Sequence, residues 1–306
     1  MSIIIFLIIL SVLVFVHELG HFGVAKFFGV RVDEFGMGFP PRAKKLFSRN
    51  GTDYTLNWLP IGGFVKIYGE DSLPDTDPDY ARSFVARPWY AQLLILVAGV
   101  VMNIILAWIL FSVSHMSGAL VPVTADNIGH VKNSQLYIVG VMPDSPAHTA
   151  DIVAGDIIHT VATGKSILVN PTLETFISTI QNSQGAVTLD IQHGKDRRTV
   201  SVTPQIIEGS RKLGVMPELL GFEKHGFFQS LVLGAETTYH TAGATVAAVG
   251  KLIGDALRGH GDVSTLTGPV GLVGVVGDAS RLGWSFVIHL AAVISINLAI
   301  LNILPF

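Results

Sequence analysis

The apolar positions of the chain fall in blocks. Nothing is charged from Ser2 to Val16, and the apolar character continues past His17 to Phe28. That run of about 26 residues exceeds the roughly 20 that a helix needs to cross a bilayer. A second uncharged block, Ala91 to Val113, holds few polar residues, Gln92, Asn103 and Ser112. A third runs from Trp284 to Phe306 and contains His289, Asn297 and Asn302. Three membrane-spanning helices are the direct reading. A weaker stretch, Phe228 to Ile253, includes Glu236, His240 and Lys251. It predicts an amphipathic helix on the membrane or against the spans.

Between the second and third blocks the pattern changes. From about Val121 to Gln205 apolar and polar residues alternate, as in residues 135–139, 187–191 and 199–202. Period two predicts short strands. With a helical stretch at Thr172 to Gln181, this reads as a small α+β domain held between spans.

Composition supports the division. Apolar residues make up 49% and charged residues 14% of the 306, against about a quarter charged in soluble chains. This argues against an ordinary soluble enzyme and against a disordered chain. A net charge of -3 argues against a nucleic-acid partner. The absence of cysteine excludes disulfides, thiolate metal sites and a cysteine nucleophile. A cleaved signal peptide wants basic residues first, whereas this chain starts Met1-Ser2-Ile3 and its basic residues follow the block. Lys26, Arg31, Arg42, Lys44, Lys45, Arg49, Arg82 and Arg87 crowd the first loop, which is therefore expected on the cytoplasmic side. The N-terminus and the inserted domain are then outside the cytoplasm.

His17-Glu18-Leu19-Gly20-His21 lies inside the first block. On a helix, positions i and i+4 share a face about 6 Å apart along the axis, so both imidazoles can reach one tetrahedral ion. Zinc suits two such nitrogen ligands, and Glu18, beside that face, can take a proton from an activated water. Three ionisable residues in a membrane helix are costly unless they meet a partner or an ion. A catalytic zinc usually has a third protein ligand. His289 is expected near the outer end, packed in the bundle. Asn297 and Asn302 are expected at the depth of the histidines, where their amides suit a substrate backbone.

These residues resemble the site-2 protease family of intramembrane zinc metalloproteases, in the bacterial form typified by the regulator-of-sigma-E protease. The likeness covers nearly the whole chain. Besides the histidine motif it rests on Glu34 to Pro40, on Thr55 to Lys66 with Gly62-Gly63-Phe64, and on Ser83 to Tyr90. Ala98-Gly99 with Asn103, Thr267 to Gly271, and Asn297 to Pro305 complete it. It implies a multi-pass α-helical membrane protein with a membrane-associated β-hairpin loop and an inserted α+β PDZ domain. The expected division is 1–28 first span, 29–90 loop with hairpin, 91–113 second span, 121–205 PDZ domain, 206–283 amphipathic helical region and 284–306 third span. It implies one zinc ion per chain, with His17 and His21 as ligands and Glu18 as the catalytic residue. Gly62, Gly63, Phe64, Asn297 and Asn302 would bind substrate.

The implied activity is cleavage of transmembrane segments of single-span proteins in the bacterial inner membrane. By the same resemblance, such cleavage would release an anti-sigma factor or clear signal-peptide remnants. A peptide ligand of the PDZ domain is a further expected partner beside the lipid bilayer. Two departures stand out. Gly99 is followed by Val100 where the family usually has proline. The family's third ligand, an Asp in Leu-Asp-Gly, would lie beyond Phe306, so the 306 residues are expected to be a truncated and inactive chain. The alternative is an inactive scaffold, or pseudoprotease, that binds partners through its PDZ domain. A metal transporter is disfavoured because the second and third spans carry no acid.

Overall fold

A computed structural model describes residues 2–71, 74, 76–124, 127–164, 166–207, 209–258 and 269–303. Its elements form two compact units, one of residues 1–113, 228–276 and 288–306, the other of residues 114–227 and 277–287.

The first unit opens with α1, Ser2–Phe27. At about 1.5 Å per residue it is roughly 39 Å long. In hydrocarbon every backbone group must bond within its own segment, which is why such a run becomes a helix. The helix stops where Gly29 turns left-handed (φ +70°) and Val30 N–H bonds the Ala25 carbonyl at 2.9 Å, a Schellman-type cap.

Next come β1, Val32–Arg49, and β2, Thr52–Ile67. Both are long enough to fold back within one sheet. Residues 34–37 of β1 pair with 63–66 of β2 on one side, Glu34 opposite Lys66 and Met37 opposite Gly63. On the other side they lie beside 53–56, numbers rising together from Glu34–Asp53 to Met37–Leu56. Residues 42–49 cover the far edge against 52–57. One face of the sheet packs on α1. There Phe35 and Tyr54 meet Phe15 and Phe22 with ring centroids 5.0 to 6.1 Å apart. The following segment is pinned by Arg31, which reaches Asp33 at 2.8 Å and Asp79 at 2.6 Å. The Tyr68 hydroxyl also donates to Asp77 at 2.5 Å.

Helices α2, Trp89–Ser117, α5, Phe227–Leu257, and α7, Trp284–Leu301, add to this unit. Ala107, Phe111, Ala292 and Ile296 form a buried cluster joined by Ala242. The Trp108 indole donates to the Leu231 carbonyl at 2.9 Å. His289 packs edge-on against Phe111, 4.9 Å between centroids. The helix read as amphipathic is therefore packed along α2 on one side. On the other it leaves Phe228, Val232, Tyr239 and Val246 exposed. Helix α6, Pro269–Leu282, precedes α7.

The second unit is a sheet in the order β3-β11-β4-β5-β7-β8, with β6 beside β5. Its strands are β3, Ala119–Pro122; β4, Lys132–Val141; β5, Ile157–Thr163; β6, Ser166–Val169; β7, Val187–His193; β8, Asp196–Val202; and β11, Val215–Glu223. A small hairpin of β9, Gln205–Ile207, and β10, Ser210–Lys212, stands apart. Strand β7 buries Val187, Leu189 and Ile191 and leaves the residues between half-buried, as period two with one packed face requires. These side chains meet Leu136, Ile158, Phe176 and Ile180 in one core. Short helix α3, Pro146–Thr149, is capped by Ser145. Helix α4, Leu173–Asn182, starts at a reciprocal Thr172–Thr175 capping box.

The expectation of a mainly helical multi-pass protein does not hold. Among the described residues 47% are helical and 31% are strand, and three helices, α1, α2 and α7, are long and apolar enough to cross a membrane. Hydropathy weights the spans heavily and passes over strands. The segment read as a loop with a hairpin is almost wholly strand from Val32 to Ile67, and the polar insert is a broad antiparallel sheet. Residues 267–268 and 304–306, on which parts of the expected family elements and the end of the third span fall, lie outside the described residues.

Candidate active site

The helical repeat puts His17 and His21 on one face of α1, with ring centroids 4.7 Å apart. Their Nε2 atoms are 3.1 Å apart. His21 Nδ1–H donates to the Ile95 carbonyl at 2.7 Å, which leaves the His21 Nε2 lone pair bare. His17 Nδ1 lies 3.3 Å from the side-chain amide of Asn103 on α2. The Asn302 amide is 3.4 Å from His17 Nε2. Glu18, one position round the helix, turns to the sheet, where its carboxylate accepts the Val65 N–H at 3.1 Å.

Gly99 makes the cluster possible. A Cβ there would strike His21 Nε2 and would sit 2.6 Å from His17 Nε2 and Cε1. The absent side chain is the space into which both rings turn. Gly20 plays a different part. A Cβ there would meet the Ala98 backbone, 2.8 Å from its carbonyl carbon, so this glycine lets α1 and α2 approach.

Of the remaining expected site residues, Gly63 runs beside Glu18, since a Cβ on it would lie 3.8 Å from Glu18 Cγ. Gly62 sits one residue further along, with φ +73°, against Phe39 and Val14. The Phe64 ring covers Gly36 and so is not at the histidines. Asn297 accepts from the Thr245 hydroxyl at 3.0 Å and is engaged with α5. The structure thus brings His17, Glu18, His21, Gly63 and Asn302 together and places Phe64 and Asn297 in other contacts. Asn103, Gly99 and the Val65 amide were not in the expected set. For Asn103 the signal was its place as a rare polar residue in an apolar span.

The histidine pair fits part of a zinc site. Two nitrogens about 2.0–2.1 Å from a tetrahedral ion stand about 3.3 Å apart, close to the observed spacing. The cradle opposite Gly99 and the bare His21 Nε2 suit the same role. Among the described residues no three His, Cys, Asp or Glu side chains gather as a ligand set. The described site therefore supplies two nitrogen donors and a nearby carboxylate.

Residues 5–306 match the profile of peptidase family M50. The chain belongs to that family, whose members are the site-2 proteases. A Clostridium perfringens protein, provisionally named a zinc metalloprotease, is 32% identical over 311 residues, covering 100% of this chain and 84% of its own length. A Fusobacterium nucleatum protein with the same kind of name is 28% identical, with 100% and 84% covered. One from Mesorhizobium japonicum is 29% identical, with 98% and 83% covered. The family and these names support a zinc metalloprotease of the site-2 type, and the three apolar helices suit a membrane protein. Nothing in these matches supports the expectation of an inactive chain.

Proposed function

We propose that this M50 protein is an intramembrane endopeptidase that cuts transmembrane segments of single-span proteins in the bacterial inner membrane. One observation carries the reading. The two Nε2 atoms converge in a helix long enough to span a bilayer, with Glu18 held beside them by a sheet amide. His17 and His21 would hold one zinc ion, which when bound supplies Lewis-acid polarisation of a carbonyl and a water of lowered pKa. Glu18 takes a proton from the attacking water and passes it to the leaving amine. Asn302, pointing at the same place, is suited to hydrogen-bond the substrate backbone.

A peptide bond in a transmembrane helix must first be unwound, because its carbonyl is bonded within the helix. Strand 63–66 supports a docking role. One edge is paired with β1, and Gly63 runs beside Glu18, so a strand added at the other edge would lie near the carboxylate. The sheet of the second unit is assigned as the PDZ domain, outside the cytoplasm, screening or capturing substrates.

The test is Glu18→Gln in the purified protein reconstituted with a single-span reporter. Retained zinc with cleavage reduced by at least about 100-fold is expected for loss of a general base. Unchanged cleavage in clean protein would remove Glu18 from the mechanism and favour a metal-holding scaffold.

A further inference from the structure

Asn103 is fully buried on α2, yet the mechanism above gives it no task. Its backbone carbonyl accepts the hydroxyl of Ser295, itself fully buried on α7, at 2.8 Å. A third helix thus clamps this residue in place. Its side-chain Nδ2 lies 3.3 Å from His17 Nδ1, and among the described residues its Oδ1 is buried without a hydrogen-bond partner.

The two ends of an amide have the same shape, so hydrogen bonding decides which end faces a neighbour. With Nδ2 toward the ring, His17 Nδ1 is an acceptor and the ring proton sits on Nε2. That arrangement gives an unbroken chain, from Asn103 to His17 to His21 to the Ile95 carbonyl. It also blocks His17 Nε2 as a ligand. With the amide turned over, Oδ1 accepts from Nδ1–H and Nε2 is bare. Asn is among the few side chains that can present either end.

We propose that Asn103 is the positioning residue for His17, donating to Nδ1 in the metal-free protein and accepting from it when zinc is bound. The proposal rests on the reading of His17 as a zinc ligand. Partners of this kind fix the tautomer and ring orientation of a metal-bound histidine, and losing one typically lowers metal affinity about 10–100-fold. One rival acceptor is at hand, since the backbone of Gly99 lies beside the His17 ring.

The experiment compares Asn103→Leu, Asn103→Asp and His17→Ala with the parent, as full-length protein in detergent. Zinc affinity is read by competition with a chromophoric chelator. The cobalt-substituted absorption spectrum reports ligand geometry independently of turnover. Asn103→Leu keeps the branched shape and removes the acceptor, so affinity is expected to fall about 10–100-fold with an altered cobalt spectrum. Asn103→Asp keeps an acceptor and is expected to stay within about threefold of the parent, with a parent-like spectrum. Two variants of parental affinity would show that the Gly99 backbone suffices and overturn the proposal. Equal losses in both would make Asn103 a packing residue and overturn it too, as would loss in the Asp variant alone. If His17→Ala keeps full zinc affinity, the ligand reading itself fails. If only that variant loses zinc, the ligand reading stands and this inference falls.

Discussion

Gly99→Ala tests the cradle most directly. The new methyl carbon would lie 2.6 Å from His17 Nε2, where ordinary contact begins at 3.4 Å, so the ring must retreat by about 0.8 Å, and His21 must give way further. Workable metal–ligand distances hold to about ±0.2 Å. A retreat of that size is about four times the tolerance. Neither ring is free to move, because the Ile95 carbonyl holds His21 at 2.7 Å and Asn103 meets His17. Zinc affinity should therefore fall by at least about 100-fold, more than a lost supporting partner costs. Folding should suffer less. Overpacking costs about 1–3 kcal/mol, while alanine in place of glycine in a helix returns up to about 1 kcal/mol. The assay is chelator competition for zinc beside thermal unfolding of the zinc-free protein. A Gly99→Ala protein with zinc affinity within about threefold of the parent would refute the cradle.

Three further outcomes follow from other contacts. Val65→Pro removes the N–H that Glu18 accepts and should reduce cleavage with zinc retained. It reports on Glu18 and not on strand addition, so an unchanged rate would show that the carboxylate needs no anchor. Gly20→Ala drives a methyl into the α2 backbone, which cannot swing aside as a ring can, and should lower thermal stability by about 1–3 kcal/mol. A melting point equal to the parent's would show that α1 and α2 do not close as described. Tyr68 donates to Asp77, and this bond with the carboxylate's charge pushes its ionisation up to about 12. A raised value means the bond stabilises the fold below the ordinary pKa near 10, and that stabilisation is lost as pH rises through about 12. Asp77→Asn should bring the Tyr68 titration back toward 10, read as an absorbance difference against Tyr68→Phe, and an unmoved midpoint would refute the pairing.

The apolar helices were legible because a bilayer imposes a length. The blocks at Ser2, Ala91 and Trp284 coincide with α1, α2 and α7. The histidine face was legible because the helical repeat is local. The sheet of the first unit was expected only as a hairpin, from the family resemblance, and not in its full extent. Pro40, Pro41 and several glycines interrupt the β pattern, and the doubling of residues 34–37 between 63–66 and 53–56 is a long-range register that no window of sequence contains. Asn103 likewise reads as one polar residue among apolar ones until α1 and α2 pack and bring it to His17. The Asn297 contact depends on α5 lying along the spans, one of the two placements the sequence left open, and on the register that brings Thr245 to it.

The sheet and the motif explain each other. Positions 17 and 21 share a face, but position 18 is rotated about 100° from His17. On an isolated span Glu18 would point away from the histidines and into lipid, where a carboxylate is costly. The strand carrying Gly63 and Val65 is what α1 meets on that side, and its amide gives the carboxylate a donor. Side chains larger than hydrogen at Gly63 would crowd the Gly36 carbonyl, 3.0 Å from the position of a Cβ, and lift the strand away. Gly63 and Gly36, diagonal neighbours in this sheet, therefore set how closely a backbone donor can approach the helix. A helix motif alone orients two imidazoles; orienting the acid between them takes the strand.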